Sequence, residues 1–164
     1  MSRFKTTDDG VHVNIGEGEL ETLTNLVEQF RQLLFSGTDP NLTRLEPLAC
    51  PDDPDAELQY REMAATTLLD HRLNAIDIVQ THLTELGETD EPVVADDSQV
   101  AAWMQTLNAM RLYLGERLGV AEHPDGPDAE HPEAPLFAAF VWLGGLLEEL
   151  VEAAYPALPK NTDG

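Results

Sequence analysis

Hydrophobic and polar positions change period several times along the chain, and each change predicts an element. Val11, Val13 and Ile15 alternate with His12 and Asn14, the period of two that marks a strand with one buried face. Phe4 to Ile15 therefore reads as a small hairpin, turning at Asp9-Gly10 where positive φ is tolerated. A lone hairpin is marginal in water, so it must pack on helices. From Glu17 to Ser36 the spacing becomes helical: Leu20, Leu23, Val27, Phe30 and Leu34 share a face, and Ser36-Gly37 supplies the stop. Residues 37–54 are rich in Pro and Asp and read as a loop, pinned to the core by Leu42, Leu45 and Leu48, with Asp53 or Asp55 as the next cap. A long helix follows from about Asp55 to Leu86. Its inner stripe is Leu69, Leu73, Ile76, Val79 or Gln80, Leu83 and Leu86, and Gly87 ends it. Whether its early part, through Ala64-Ala65-Thr66-Thr67, is a separate helix stays open.

Glu91-Pro92-Val93-Val94-Ala95 is a short strand candidate, and Asp96, Asp97 and Ser98 are candidate caps for a helix to Leu118, ended by Gly119. Val100, Trp103, Leu107, Met110 and Leu114 face inward on it. These positions repeat the Leu20 to Leu34 stripe at an offset of eighty residues, with Val13 mapping onto Val93 and Arg31 onto Arg111. Two unrelated amphipathic helices explain much of that agreement. If the repeat is real, the Val93 segment pairs with the hairpin as a third strand. Residues 121–133 form an acidic, proline-rich loop that is expected to be mobile. The last helix, about Glu133 to Tyr155, is apolar nearly all round at first and reads as the central, buried helix of a bundle. Gly144-Gly145 within it implies close approach of a neighbouring helix. Its longest apolar run, Leu136 to Leu147, is shorter than the roughly twenty residues a membrane span needs. The expected architecture is mainly α: a single domain over 1–164, ordered from about 3 to 156, built as a bundle of four or five helices with a small N-terminal β-hairpin or three-stranded sheet, and a flexible tail.

Charge then narrows the functions. Asp and Glu number 31 against 9 Lys and Arg, a formal charge of -22. Nucleic-acid binding draws its affinity from cations that neutralise phosphates. Here the two lysines, Lys5 and Lys160, sit at opposite ends of the chain. No direct nucleic-acid partner is expected, and an acidic face for a basic protein partner is the sharper alternative to a merely solvated surface. Cys50 is the single cysteine, so no disulfide forms within one chain. A reducing, cytoplasmic setting is the simpler inference. The N-terminal residues lack an apolar signal core.

Candidate chemistry is sparse. His71 and His82 lie eleven residues apart on one helix, roughly 16 Å, too far to share an ion. His123 and His131 read as solvated loop histidines. No serine sits in a nucleophile elbow, and no Gly-rich phosphate loop occurs. Glu148, Glu149 and Glu152 read as a solvated face. No catalytic, cofactor or metal residue is assigned. The scarce arginines say more. Arg111, one position beyond Met110, is expected to pair with a buried or bridging carboxylate, or to grip a partner's. Candidate partner-binding residues are Asn108, Arg111, Arg117 and Trp142, and the candidate redox residue is Cys50.

The run Leu107-Asn108-Ala109-Met110-Arg111-Leu112-Tyr113-Leu114-Gly115-Glu116-Arg117-Leu118-Gly119-Val120 resembles a signature of DUF2017, an actinobacterial family of unknown function. Val141-Trp142-Leu143-Gly144-Gly145-Leu146-Leu147-Glu148-Glu149-Leu150-Val151 is similar to the family's C-terminal helix, and Asp39 to Leu45 and Tyr60-Arg61 also fit its pattern. The resemblance spans about residues 3 to 156. It implies an AosR-like regulator of the transcriptional response to oxidative stress, acting through a sigma factor or RNA polymerase. One departure matters: a thiol switch within one chain needs two cysteines, so redox sensing through Cys50 would have to be intermolecular or absent. The leading expectation is a non-enzymatic regulatory or adaptor protein that binds protein partners, with a homodimer left open. A small-molecule-binding protein or enzyme, and a direct DNA-binding regulator, are the alternatives. The former would show a closed pocket lined by Arg111, Asn108 and a histidine.

Overall fold

The structure, a computed structural model, describes residues 2–45, 54–89 and 91–156. Its elements are β1 (Phe4–Thr7), β2 (Gly10–Val13), α1 (Glu17–Ser36), a 3-10 helix (Pro40–Leu45), α2 (Pro54–Glu88), β3 (Val93–Ala95), α3 (Asp97–Leu118) and α4 (Ala134–Ala154). The fold is a helical bundle with a three-stranded antiparallel sheet, as the two periodicities predict.

The sheet has the order β1-β2-β3. The hairpin register sets Phe4 opposite Val13 and Thr7 opposite Gly10. β3 closes on β2 with Val13 opposite Val93 and Val11 opposite Ala95. The Val93 segment is therefore the third strand, and the residues that map onto each other at the offset of eighty sit face to face. The helices obey the same offset: α1 begins at Glu17 and α3 at Asp97, and Leu23, Val27, Phe30 and Leu34 are buried, as are Trp103, Leu107, Met110 and Leu114.

Local signals account for the helix ends. Asp96 accepts from the Gln99 N–H at 2.9 Å while the Gln99 side chain accepts from the Asp96 N–H, a capping box that starts α3. Gly37 and Gly119 end α1 and α3 in the left-handed region. α2 is one continuous helix of 35 residues, about 52 Å long, with no break near Ala64. It runs through Gly87, the expected stop, to Glu88. Its burial is partial at Ala64, Leu68 and Leu69 and strengthens from Ala75. The earlier turns leave Leu58 and Met63 exposed. Of the alternatives at the inner stripe, Val79 is buried, whereas Gln80 turns out to meet Glu28 and Arg31 at 2.6 Å each. The loop pins Leu42 and Leu45 join the core; Leu48 and Asp53 lie outside the described residues.

The core contradicts one expectation. The central helix is α3, which packs on α2, α4, β3 and the 3-10 helix and buries ten residues. α4 lies at the margin. Leu143, Leu146, Leu150 and Ala153 dock it, but only 17% of its most apolar stretch is buried. Val141 stays 56% exposed. The reason is geometric: a helix against one neighbouring layer hides one face, whatever its composition. By length and composition α4 is also apolar enough to cross a membrane; its last turns carry Glu148, Glu149 and Glu152. Residues 121–133 form a succession of turns.

Candidate functional site

The four candidate partner-binding residues do not converge. Asn108 and Arg111 stand one turn apart on the outer face of α3, both exposed. Arg111 is not the buried ion-pair residue its place after Met110 implied. One residue of helix is about 100° of rotation, enough to carry it off the inner face. Its guanidinium instead lies 5.2 Å from the Phe140 ring centroid, over the face of the ring. Gly144 makes room for it: a Cβ there would stand 3.1 Å from Arg111 Nε. So one of the paired glycines of α4 admits an arginine, not the backbone of a neighbouring helix. The other, Gly145, faces open space.

Arg117 lines a different hollow, of about 430 Å³, with His123, Asp128, His131 and Glu133. It also lies near the Tyr113–Asp39 pair, in which the Tyr113 hydroxyl donates to Asp39 at 2.5 Å. That hydrogen bond, then the Asn41 N–H, holds the Asp39 carboxyl below its ordinary range, while burial and then Asp39 push the Tyr113 phenol up. His131 Nδ1 accepts from the Glu133 N–H. The two loop histidines thus border one hollow. Among the described residues no group of three or more His, Cys, Asp or Glu side chains is placed to hold a metal ion.

Trp142 belongs to a third cluster. It is half-buried, and its Nε1–H donates to Glu19 Oε2 at 2.9 Å. Glu19 also accepts from Arg3, which reaches Glu149 at 2.6 Å. Arg3 therefore ties the N-terminal strand to α1 and α4. The Arg3 bond, ahead of Trp142, lowers the Glu19 pKa, and both carboxylates raise that of Arg3. Arg31 pairs with Asp77 at 3.1 Å. Cys50 lies outside the described residues.

What gathers around Arg111 is a hollow of about 340 Å³ between α3 and the start of α4. Its apolar walls are Leu112, Val120 and Phe140. Gly115 lets two of these walls pack on the helix backbone: a Cβ there would meet Val120 at 3.3 Å and Phe140 at 3.4 Å. Glu116 and Glu122 stand on the rim with Arg111. The hollow contains neither Asn108 nor a histidine. On the helix that supplies Phe140, Ala138, Val141 and Gly145 fall at i, i+3 and i+7 on the outward face, continued by Glu148 and Glu152, all exposed. This second apolar stripe, opposite the docking face, was the signal in the sequence for that outward face. Reading the helix as buried all round hid it.

A second constellation lies in the core. His82 is 4% exposed, and its Nδ1 accepts from the Trp103 Nε1–H at 2.9 Å, the rings stacked at 27°. With Nδ1 accepting, the ring is neutral with its proton on Nε2. Burial lowers the His82 pKa, against the opposing pull of Glu85 and Asp96.

The family DUF2017, described as a domain of unknown function, matches residues 1–154. No curated protein and no solved structure matches the chain.

Proposed function

The chain belongs to the DUF2017 family, and from that footing we propose that it is a non-enzymatic adaptor or regulator that acts by holding another protein in the cytoplasm. The observation that carries the reading is the outward face of α4: an apolar stripe that no described residue covers, on a molecule of charge -22. Exposed apolar surface rimmed by charge is the usual mark of a protein interface. The arginines support a protein rather than a nucleic-acid partner. Arg3 and Arg31 are engaged by carboxylates, and Glu116 and Glu122 share the hollow with Arg111. A partner in the transcription machinery, a sigma factor or RNA polymerase, and a link to oxidative stress are carried from the sequence resemblance.

The test is sedimentation of the purified protein with RNA polymerase core, holoenzyme and free sigma factors, with and without oxidant. A stable complex with one of them is the expected result. Tight promoter binding by the protein alone at physiological salt, with no protein complex, overturns the reading.

A further inference from the structure

Resting on that reading, we infer that the α3–α4 hollow and the outward stripe of α4 together form a docking surface for a basic amphipathic helix of a partner protein, anchored by one large apolar side chain. The groove dictates each attribute of that occupant. The hollow is lined by the apolar side chains of Leu112, Val120 and Phe140, the last two packed on the backbone of Gly115, so it takes an apolar group. Anchors of this kind concentrate binding energy in a pocket. On α4, Ala138, Val141 and Gly145 present small or branched apolar groups along two turns, and nothing stands within 4 Å of a Cβ at Gly145. An exposed mid-helix glycine costs helix propensity, about 1 kcal/mol relative to Ala, and among the described residues none uses the space it opens. A helix laid on this stripe would. A partner helix that anchors one apolar side chain in a hollow and lays its apolar face on a neighbouring surface follows the helix-in-groove mode.

Charge selects the sign of the occupant. Glu116 and Glu122 edge the hollow, and Glu148 and Glu152 continue the stripe toward the C-terminus of α4. Arg111 is the cation of the rim, and its guanidinium is taken up by the Phe140 face. Lysines and arginines on both sides of an apolar ridge complement this rim. A second copy of the chain, itself at -22, does not.

Two measurements test the groove. The first titrates a roughly five-turn synthetic peptide, Leu and Phe on one face and Lys on the other, against wild type and against Val141→Glu and Ala138→Glu. Both substitutions are at exposed positions and leave the core intact. Each also adds a negative charge, so simple attraction between a cationic peptide and an acidic protein would strengthen. Groove docking instead predicts loss of about tenfold or more in affinity. Equal or tighter binding by the variants overturns the proposal. So does a homodimer that Val141→Glu dissolves, or binding to anionic lipid vesicles that the same change abolishes. The second places a photo-crosslinking residue at position 141, or at position 94 on the far strand, in cells. Protein adducts from 141 are expected. Adducts only from 94 sink the groove yet leave the adaptor function standing, and no protein adduct from either position counts against both.

Discussion

Replacing His82 with leucine isolates a side-chain hydrogen bond buried in the core. Trp103 is fully buried, and His82 Nδ1 is its acceptor at 2.9 Å. Leucine keeps most of the volume and removes the acceptor. An orphaned donor in a core costs about 1–3 kcal/mol. For a chain of this size each kcal/mol moves the thermal midpoint by about 2–4 °C, so a central loss of about 2 kcal/mol lowers Tm by about 4–8 °C. Trp103→Phe, alone and combined with His82→Leu, completes a double-mutant cycle, and the coupling between the two sites should be about 1–2 kcal/mol. The pH dependence carries a definite sign. Burial holds the folded His82 pKa below the ordinary 6.5 of a histidine, so below that pH the unfolded chain takes up a proton that the fold refuses. Wild type therefore loses stability as pH falls from 6.5 toward the folded pKa. His82→Leu has no such group. The gap between wild type and variant, followed by circular dichroism at about pH 7.5 and about pH 5.5, must shrink at the lower pH. An unchanged Tm on losing His82, or a gap that widens as pH falls, refutes the reasoning.

Other outcomes follow from the same structure. Thr106 is 2% exposed and its hydroxyl has no hydrogen-bond partner among the described residues. Thr106→Val should raise stability in urea by about 1 kcal/mol, because the isosteric methyl needs no partner. Gly10 has φ 138°, and a Cβ there would stand 2.3 Å from the Ala95 carbonyl oxygen. Gly10→Ala should cost about 2–3 kcal/mol, and hydrogen exchange should show the β2–β3 pairing loosened first. Asp96→Ala removes the capping box and should cost about 1 kcal/mol by thermal denaturation, with serine at the same position restoring most of it.

The parts of the fold that announce themselves in sequence are those where a period and a stop coincide. α1 and α3 each carry a five-position apolar stripe ended by glycine, and Asp96 opens α3 as a cap three residues before Gln99. α2 shows how a stop signal is overruled. Gly87 lies inside the last turn, with a hypothetical Cβ no nearer than 3.9 Å to Leu20, and the helix passes through it. α4 was misjudged because composition has no direction. Burial of Leu143, Leu146 and Leu150 satisfies the bundle, and nothing in hydropathy says that Val141 must follow them inside. The Arg111 position needed the neighbouring helix: only Phe140 and Gly144 explain where the guanidinium rests. His82 sat in plain view as a polar residue between Val79 and Leu83 on the inner stripe, but the indole that satisfies it comes from another helix.

The pairing of β2 with β3 has a consequence for the chain as it is made. Val13 must wait for Val93, eighty residues later. At a synthesis rate of about 5–20 residues per second, the partner strand follows by roughly 4–16 s. Until then the hairpin leaves the ribosome with its β2 edge open, an invitation to sheet formation between neighbouring nascent chains. A message truncated ahead of β3 would make that interval permanent, and its product should accumulate as aggregate rather than as a smaller folded protein.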